Sequence, residues 1–215
     1  MDDNEHDDAA QSAILSVDVL QHAFTAMGVH ATSKAANVCK TWQTAALAVS
    51  SWSTGLLAQA TAEKNAGNEL FRRGDAASAH SRYTHGLKLL AELRSWNAGT
   101  SSEEAAQLEL ACHANRAACS LQRQDVAAAA DDAFAATFDA HLQPARRAQP
   151  MIATKAALRL MEAAERATAS GLQLGSASER FGSPQAAARA AVMEARYLLR
   201  PSNVAQTMDG LLFPT

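Results

Sequence analysis

The sequence predicts an all-α chain, and three observations carry that expectation. Apolar residues make up 48% of the 215 residues while aromatics reach only 5%, so alanine supplies much of the apolar fraction. Alanine is the best helix former and lets helices approach closely. No stretch shows the Val/Ile/Thr alternation of a half-buried strand. Finally, one spacing of small residues occurs twice, in KNAGNELFRRGDAASAHSRYTHGL from Lys64 and in NRAACSLQRQDVAAAADDAFAA from Asn115. Gly67 is followed by Ala79, Tyr83 and Gly86; Ala117 is followed, at the same intervals, by Ala129, Ala133 and Ala136. Asp75 and Asp125 stand four residues before Ala79 and Ala129, between the helices of each copy.

Taken in order, residues 1–11 are acidic and lack aromatics, so they read as a disordered tail. Residues 12–55 form a helical segment. Ser16 is placed to cap a helix carrying Val17, Val19, Leu20, Ala23, Phe24 and Met27, and Gly28 closes it. A second helix is expected from about Thr32 to Ala48. Residues 57–143 hold the two copies, with helices near 57–73, 76–95, 103–121 and 126–138. Ser101 and Glu104 have the S-x-x-E spacing of a capping box. Pro150 can occupy the first turn of a helix reaching about Ser170. GLQLGSASERFGSP, residues 171–184, reads as a Gly/Ser-rich loop. A last helix from about Gln185 to Leu199 completes a third, degenerate pair within residues 144–200, and residues 201–215 form a tail.

Charge and composition narrow the function classes. A net charge of −3 and a pI near 6.1 give a nucleic-acid role no electrostatic support. The N-terminus lacks the basic-then-apolar order of a signal peptide, and no apolar run approaches a membrane span. The cysteines, Cys39, Cys112 and Cys119, are odd in number, which suggests reduced thiols in a cytoplasmic or nuclear protein.

The repeated positions, Gly67-Ala79-Tyr83-Gly86 and Ala117-Ala129-Ala133-Ala136, resemble the tetratricopeptide repeat, whose period is about 34 residues. The resemblance implies an α-solenoid of antiparallel helix pairs. The copies lie fifty residues apart (117 minus 67), so about sixteen are inserted, around Trp96–Ser102. The chain also resembles the chaperone-binding members of that family. These grip an acidic C-terminal tail with Lys-x-x-x-Asn in the first helix, Asn in the third and Lys-x-x-x-Arg in the fifth. Lys64, Asn68 and Asn115 match the first two elements, and Lys155 and Arg159 have the spacing of the last. Met161 then falls where the family prefers a small residue; shifting by four restores Ala157 and leaves only Lys155 in place. A carboxylate needs fixed donors, which ammonium and amide groups provide. The same residues are also common in repeats that bind nothing of the kind.

Residues 14–52 resemble an F-box, through an L-x-x-D-V-L entry at Leu15, a V-C-K-x-W run from Val38 to Trp42, and Trp52. Ser16 stands where proline is usual, and Ala31-Thr32 replace the common Asp-Leu. The resemblance implies docking onto the Skp-type adaptor of a cullin-based ubiquitin ligase through Leu15, Val19, Leu20, Phe24, Val38 and Trp42. The plainer reading is a helical hairpin that caps the solenoid.

No phosphate-binding loop, dinucleotide fingerprint, nucleophile elbow or zinc-protease motif occurs, so no catalytic residue, metal or cofactor is assigned. Cys112 and Cys119 read as small apolar fillers, Arg146 and Arg147 as a solvated junction, and Glu162 and Glu165 as solvent-facing charges. The preferred function is therefore a non-catalytic adaptor: an F-box-like segment joins a ligase scaffold and the repeats recruit a client. The second is a co-chaperone-type binder of acidic C-terminal peptides, from chaperones or other proteins. The third is a scaffold whose groove holds its own tail.

Overall fold

The computed structural model describes residues 40–96 and 102–200. Among these there is no strand, and eight α-helices follow one another. They are α1 Lys40–Arg72, α2 Ala76–Trp96, α3 Glu103–Gln122, α4 Val126–Phe138, α5 Gln143–Ala148, α6 Pro150–Ser170, α7 Gly175–Phe181 and α8 Pro184–Leu198. None of them is long and apolar enough to cross a membrane. The described residues fall into two compact units, 40–58 with 91–96, and 59–90 with 102–200. In the first, Leu56 and Leu93 are buried.

The two sequence copies make the same turn fifty residues apart. The amides of Arg73, Gly74 and Asp75 donate to the carbonyls of Glu69, Phe71 and Leu70; those of Arg123, Gln124 and Asp125 donate to Cys119, Leu121 and Ser120. Gly74 and Gln124 both adopt positive φ, 84° and 61°. Each aspartate then accepts from the backbone amide three residues on, Ser78 at 3.0 Å and Ala128 at 3.2 Å, starting the next helix. The small residues sit at the contacts. Ala79, Ala117, Ala129, Ala133 and Ala136 are wholly buried. A Cβ on Gly67 would lie 2.7 Å from the Tyr83 ring, so glycine there is what lets α1 and α2 close.

The third pair is α6 and α8, which pack together, and α6 also packs against α4. Ala157, Leu160, Ala163 and Ala167 of α6 meet Ala187, Ala191 and Ala195 of α8 in one cluster with Ala129 and Ala133. Alanine dominates this core because helices this close leave room for little else.

Several boundaries differ from expectation. The break expected between about Ala48 and residue 57 is absent, because α1 runs unbroken through it. Gly55 meets no heavy atom within 4 Å, so its cost is helix propensity alone, about 1 kcal/mol. The cap of α3 is Ser102, not Ser101; its Oγ accepts from the Ala105 amide, and no glutamate stands at the reciprocal position. The expected loop 171–184 contains α7. Leu174 and Ala177 are buried beneath it, and Asp131 Oδ1 accepts from the Ser176 amide at 3.1 Å. Gly182 closes α7 at a φ of 78°. Tertiary contacts thus impose a helix on weak helix formers.

Candidate functional site

Asn68 and Asn115 meet. Their sequence separation is 47 residues, yet Asn115 Nδ2 donates to Asn68 Oδ1 at 3.0 Å. Tyr83 Oη donates to the same oxygen at 2.8 Å. That oxygen accepts both bonds, so the Asn68 amide presents its N–H donors to any further partner. Burial pushes the Tyr83 phenol up to about 12, which keeps it a neutral donor at physiological pH. Packing of Tyr83 against Gly67 fixes the ring, and the ring fixes Asn68.

Lys64 lies one turn before Asn68 on α1, half-buried, and forms no ion pair among the described residues. Its ammonium acts on the Cys112 thiol of α3, which places it over the same helix that carries Asn115. From α6, Arg159 reaches α3 and donates through Nη1 to the Ala114 carbonyl. Burial depresses the Arg159 guanidinium, while Cys119 and Tyr83 act in the opposite direction. It remains charged, since a guanidinium does not lose its proton in proteins. Lys155 is exposed one turn earlier on α6. Asn68, Asn115 and Tyr83 therefore form one bonded centre, with Arg159 within electrostatic reach of Tyr83 and Lys64 flanking it. Lys155 stands apart from that centre, and Arg159 is the nearer of the α6 pair.

The six F-box positions are a different matter. Leu15, Val19, Leu20, Phe24 and Val38 lie outside the described residues; Trp42 falls in α1, where the backbone alone is described.

Two further features escaped the sequence reading. Asp132 of α4, 4% exposed, accepts from Arg116 Nε at 2.7 Å and Arg116 Nη2 at 2.6 Å, and pairs with His113 Nδ1 at 2.9 Å. Arg116 also donates to Thr84 Oγ1 at 3.2 Å, so one guanidinium ties α2, α3 and α4. Beside it, buried Glu109 pairs with His141 Nε2 at 3.1 Å. The only sequence signal for this was an Asp pair in an otherwise apolar helix. Arg146, expected at a solvated junction, is instead 7% exposed. Glu162 does face solvent, paired with Arg166 at 2.5 Å. Burial pushes the Cys112 thiol up to about 12 and the Cys119 thiol up to about 11, so both are protonated at neutral pH.

Comparison of the chain with protein-family models, with curated proteins and with solved structures finds no match.

Proposed function

We propose that this chain is a non-catalytic protein-interaction adaptor that takes an acidic C-terminal peptide, of the kind chaperones carry, between α1, α3 and α6. One observation carries the reading: Asn115 is bonded to Asn68, with Lys64 one turn away and Arg159 approaching from α6. Donors from separate helices converge, and the bonds among them engage the Asn68 oxygen and not its N–H groups. A terminal carboxylate is the ligand such a cluster suits, because charge-assisted bonds to fixed donors are the strong ones. Of the α6 pair, Arg159 orders the site by bonding to the α3 backbone, and Lys155 is the exposed cation available to the peptide's acidic side chains.

The experiment is calorimetric titration of the full chain with a peptide ending in EEVD, as free acid and as amide. The free acid binds and the amide does not; Lys64→Ala costs about 1.5–3 kcal/mol of binding, the worth of a charge-assisted bond. Raised salt weakens the affinity. Equal affinity for acid and amide would sink the reading.

A second arm of the proposal rests on the Leu15–Leu20 entry and the Val38–Trp42 run. In it, residues 12–55 dock a Skp-type adaptor and the peptide site presents a client to a ubiquitin ligase in the cytoplasm or nucleus.

A further inference from the structure

The outward line of α8 carries arginines and no acid. Ala187, Ala191, Ala195 and Leu198 turn inward and are buried. At 3.6 residues per turn, Arg189, Met193 and Arg196 fall on the opposite side, and all three are exposed. Arg200 continues the line just past the helix. Its amide donates to the Tyr197 carbonyl, and its guanidinium carbon lies 5.7 Å from the Tyr197 ring centre. The one acid of α8, Glu194, sits instead at a cleft that it lines with Arg146 and Arg180.

The side chains of Arg189 and Arg196 make no hydrogen bond or ion pair among the described residues. Met193, between them, is 67% exposed, more than any other large hydrophobic residue among those described. A face that serves solubility alone mixes charges of both signs. This one sets a single sign around an apolar centre. The steps from 189 to 193 to 196 are four and three residues, the spacing with which one helix lays a seam along another.

We propose that this face docks an acidic amphipathic helix of a partner protein, with an apolar residue over Met193 and carboxylates meeting Arg189 and Arg196. The planar fork of arginine pairs both oxygens of a carboxylate, and methionine adapts its shape to an apolar neighbour. A second copy of this chain suits the face poorly, because a two-fold contact sets the same arginines against each other. An anionic membrane suits it poorly too. The apolar side of α8 is buried in the core, so little apolar area is left to insert. The carboxylate site is built on α1, α3 and α6, so the two proposals stand or fall separately.

The test is calorimetry of the full chain with an alanine-based helical peptide of about 20 residues carrying Glu-x-x-x-Leu-x-x-Glu, and with the same pattern in reverse order. Both peptides are amidated at the C-terminus, so neither offers the free carboxylate that the other site requires. At least one binds saturably, and its counterpart with glutamine for glutamate does not. Affinity falls about tenfold or more in Arg189→Gln and in Arg196→Gln, the range of one lost charge-assisted bond. Both positions are exposed, so the variants keep the fold, which unchanged thermal melting verifies. Lys64→Ala leaves this affinity as it is. Sedimentation over a concentration series, and vesicles of phosphatidylcholine with phosphatidylserine, test the other occupants. Binding by neither peptide, equal binding of the glutamine counterpart, undiminished affinity in both arginine variants, or a loss in Lys64→Ala would overturn the proposal. Self-association or vesicle binding that disappears in Arg196→Gln would reassign the face and overturn it as well.

Discussion

Asn68 shows how one side chain can serve stability and binding together. Its oxygen holds Tyr83 and Asn115, so Asn68→Ala leaves two donors short of a partner and should cost about 1–3 kcal/mol of stability. Lys64→Ala, at a half-buried position without an ion pair among the described residues, should leave urea denaturation nearly unchanged while weakening binding of the free-acid peptide by about 1.5–3 kcal/mol. A large stability loss in Lys64→Ala would contradict this division of roles. Asp132 makes a pH prediction. Burial alone would raise its pKa, but the hydrogen bonds from His113 and Arg116 outweigh it and hold the carboxyl below its ordinary 3.8. A group depressed on folding contributes stability that is present above the unfolded pKa and lost as pH falls through the folded one. Asp132→Ala should therefore cost about 3 kcal/mol or more at pH 7, as for other broken buried pairs, and less at a pH well below 3.8. Denaturation curves at both pH values decide it; an equal penalty would refute the linkage.

Gly74 and Gln124 occupy the same place in two turns of the same design, yet only one is glycine. A side chain in the left-handed region costs about 1–2 kcal/mol, so Gln124→Gly should raise the melting temperature despite glycine's freer unfolded state. Gly74→Gln should lower it, and a matching response of opposite sign would show that the turns are equivalent. Ala129 is wholly buried in the cluster that joins α3, α4, α6 and α8, so Ala129→Leu should overpack it and cost about 1–3 kcal/mol by thermal or urea unfolding. These elements were legible because each leaves a local mark: an aspartate cap, a small residue at a contact, a proline in the first turn of α6. By contrast, α7 was not legible. Its Gly/Ser-rich sequence favours a loop locally, and the contacts that make it helical come from Leu174 beneath it and Asp131 of α4.

Two proposed partners imply two separable losses of function in the whole molecule. Leu20→Ala in the full chain should weaken capture of a Skp-type adaptor by about 2 kcal/mol, the usual effect of truncating a central apolar anchor, and leave the EEVD peptide affinity unchanged. Lys64→Ala should do the reverse. Pull-down and calorimetry on the two variants test both at once. An adaptor that fails to bind the unaltered chain would leave residues 12–55 as a cap for the helices that follow. Such a fragment cannot be cut cleanly near residue 55, because that point lies inside α1.

Helical character, the fifty-residue repeat of the helix-pair turn, and the candidate donors Lys64, Asn68 and Asn115 were all readable from order along the chain. Propensity, capping and packing of small residues act over a few positions, and sequence displays them directly. The partners of those donors were not readable. That Tyr83 bonds Asn68, that Arg159 reaches the α3 backbone, and that Arg146 is buried at a cleft all depend on residues from distant positions meeting in space. Such pairings arise when close-packed alanine faces fix how the helices lie against each other. Only then do long polar side chains meet the groups that satisfy them, as Arg146 meets the Asp139 carbonyl.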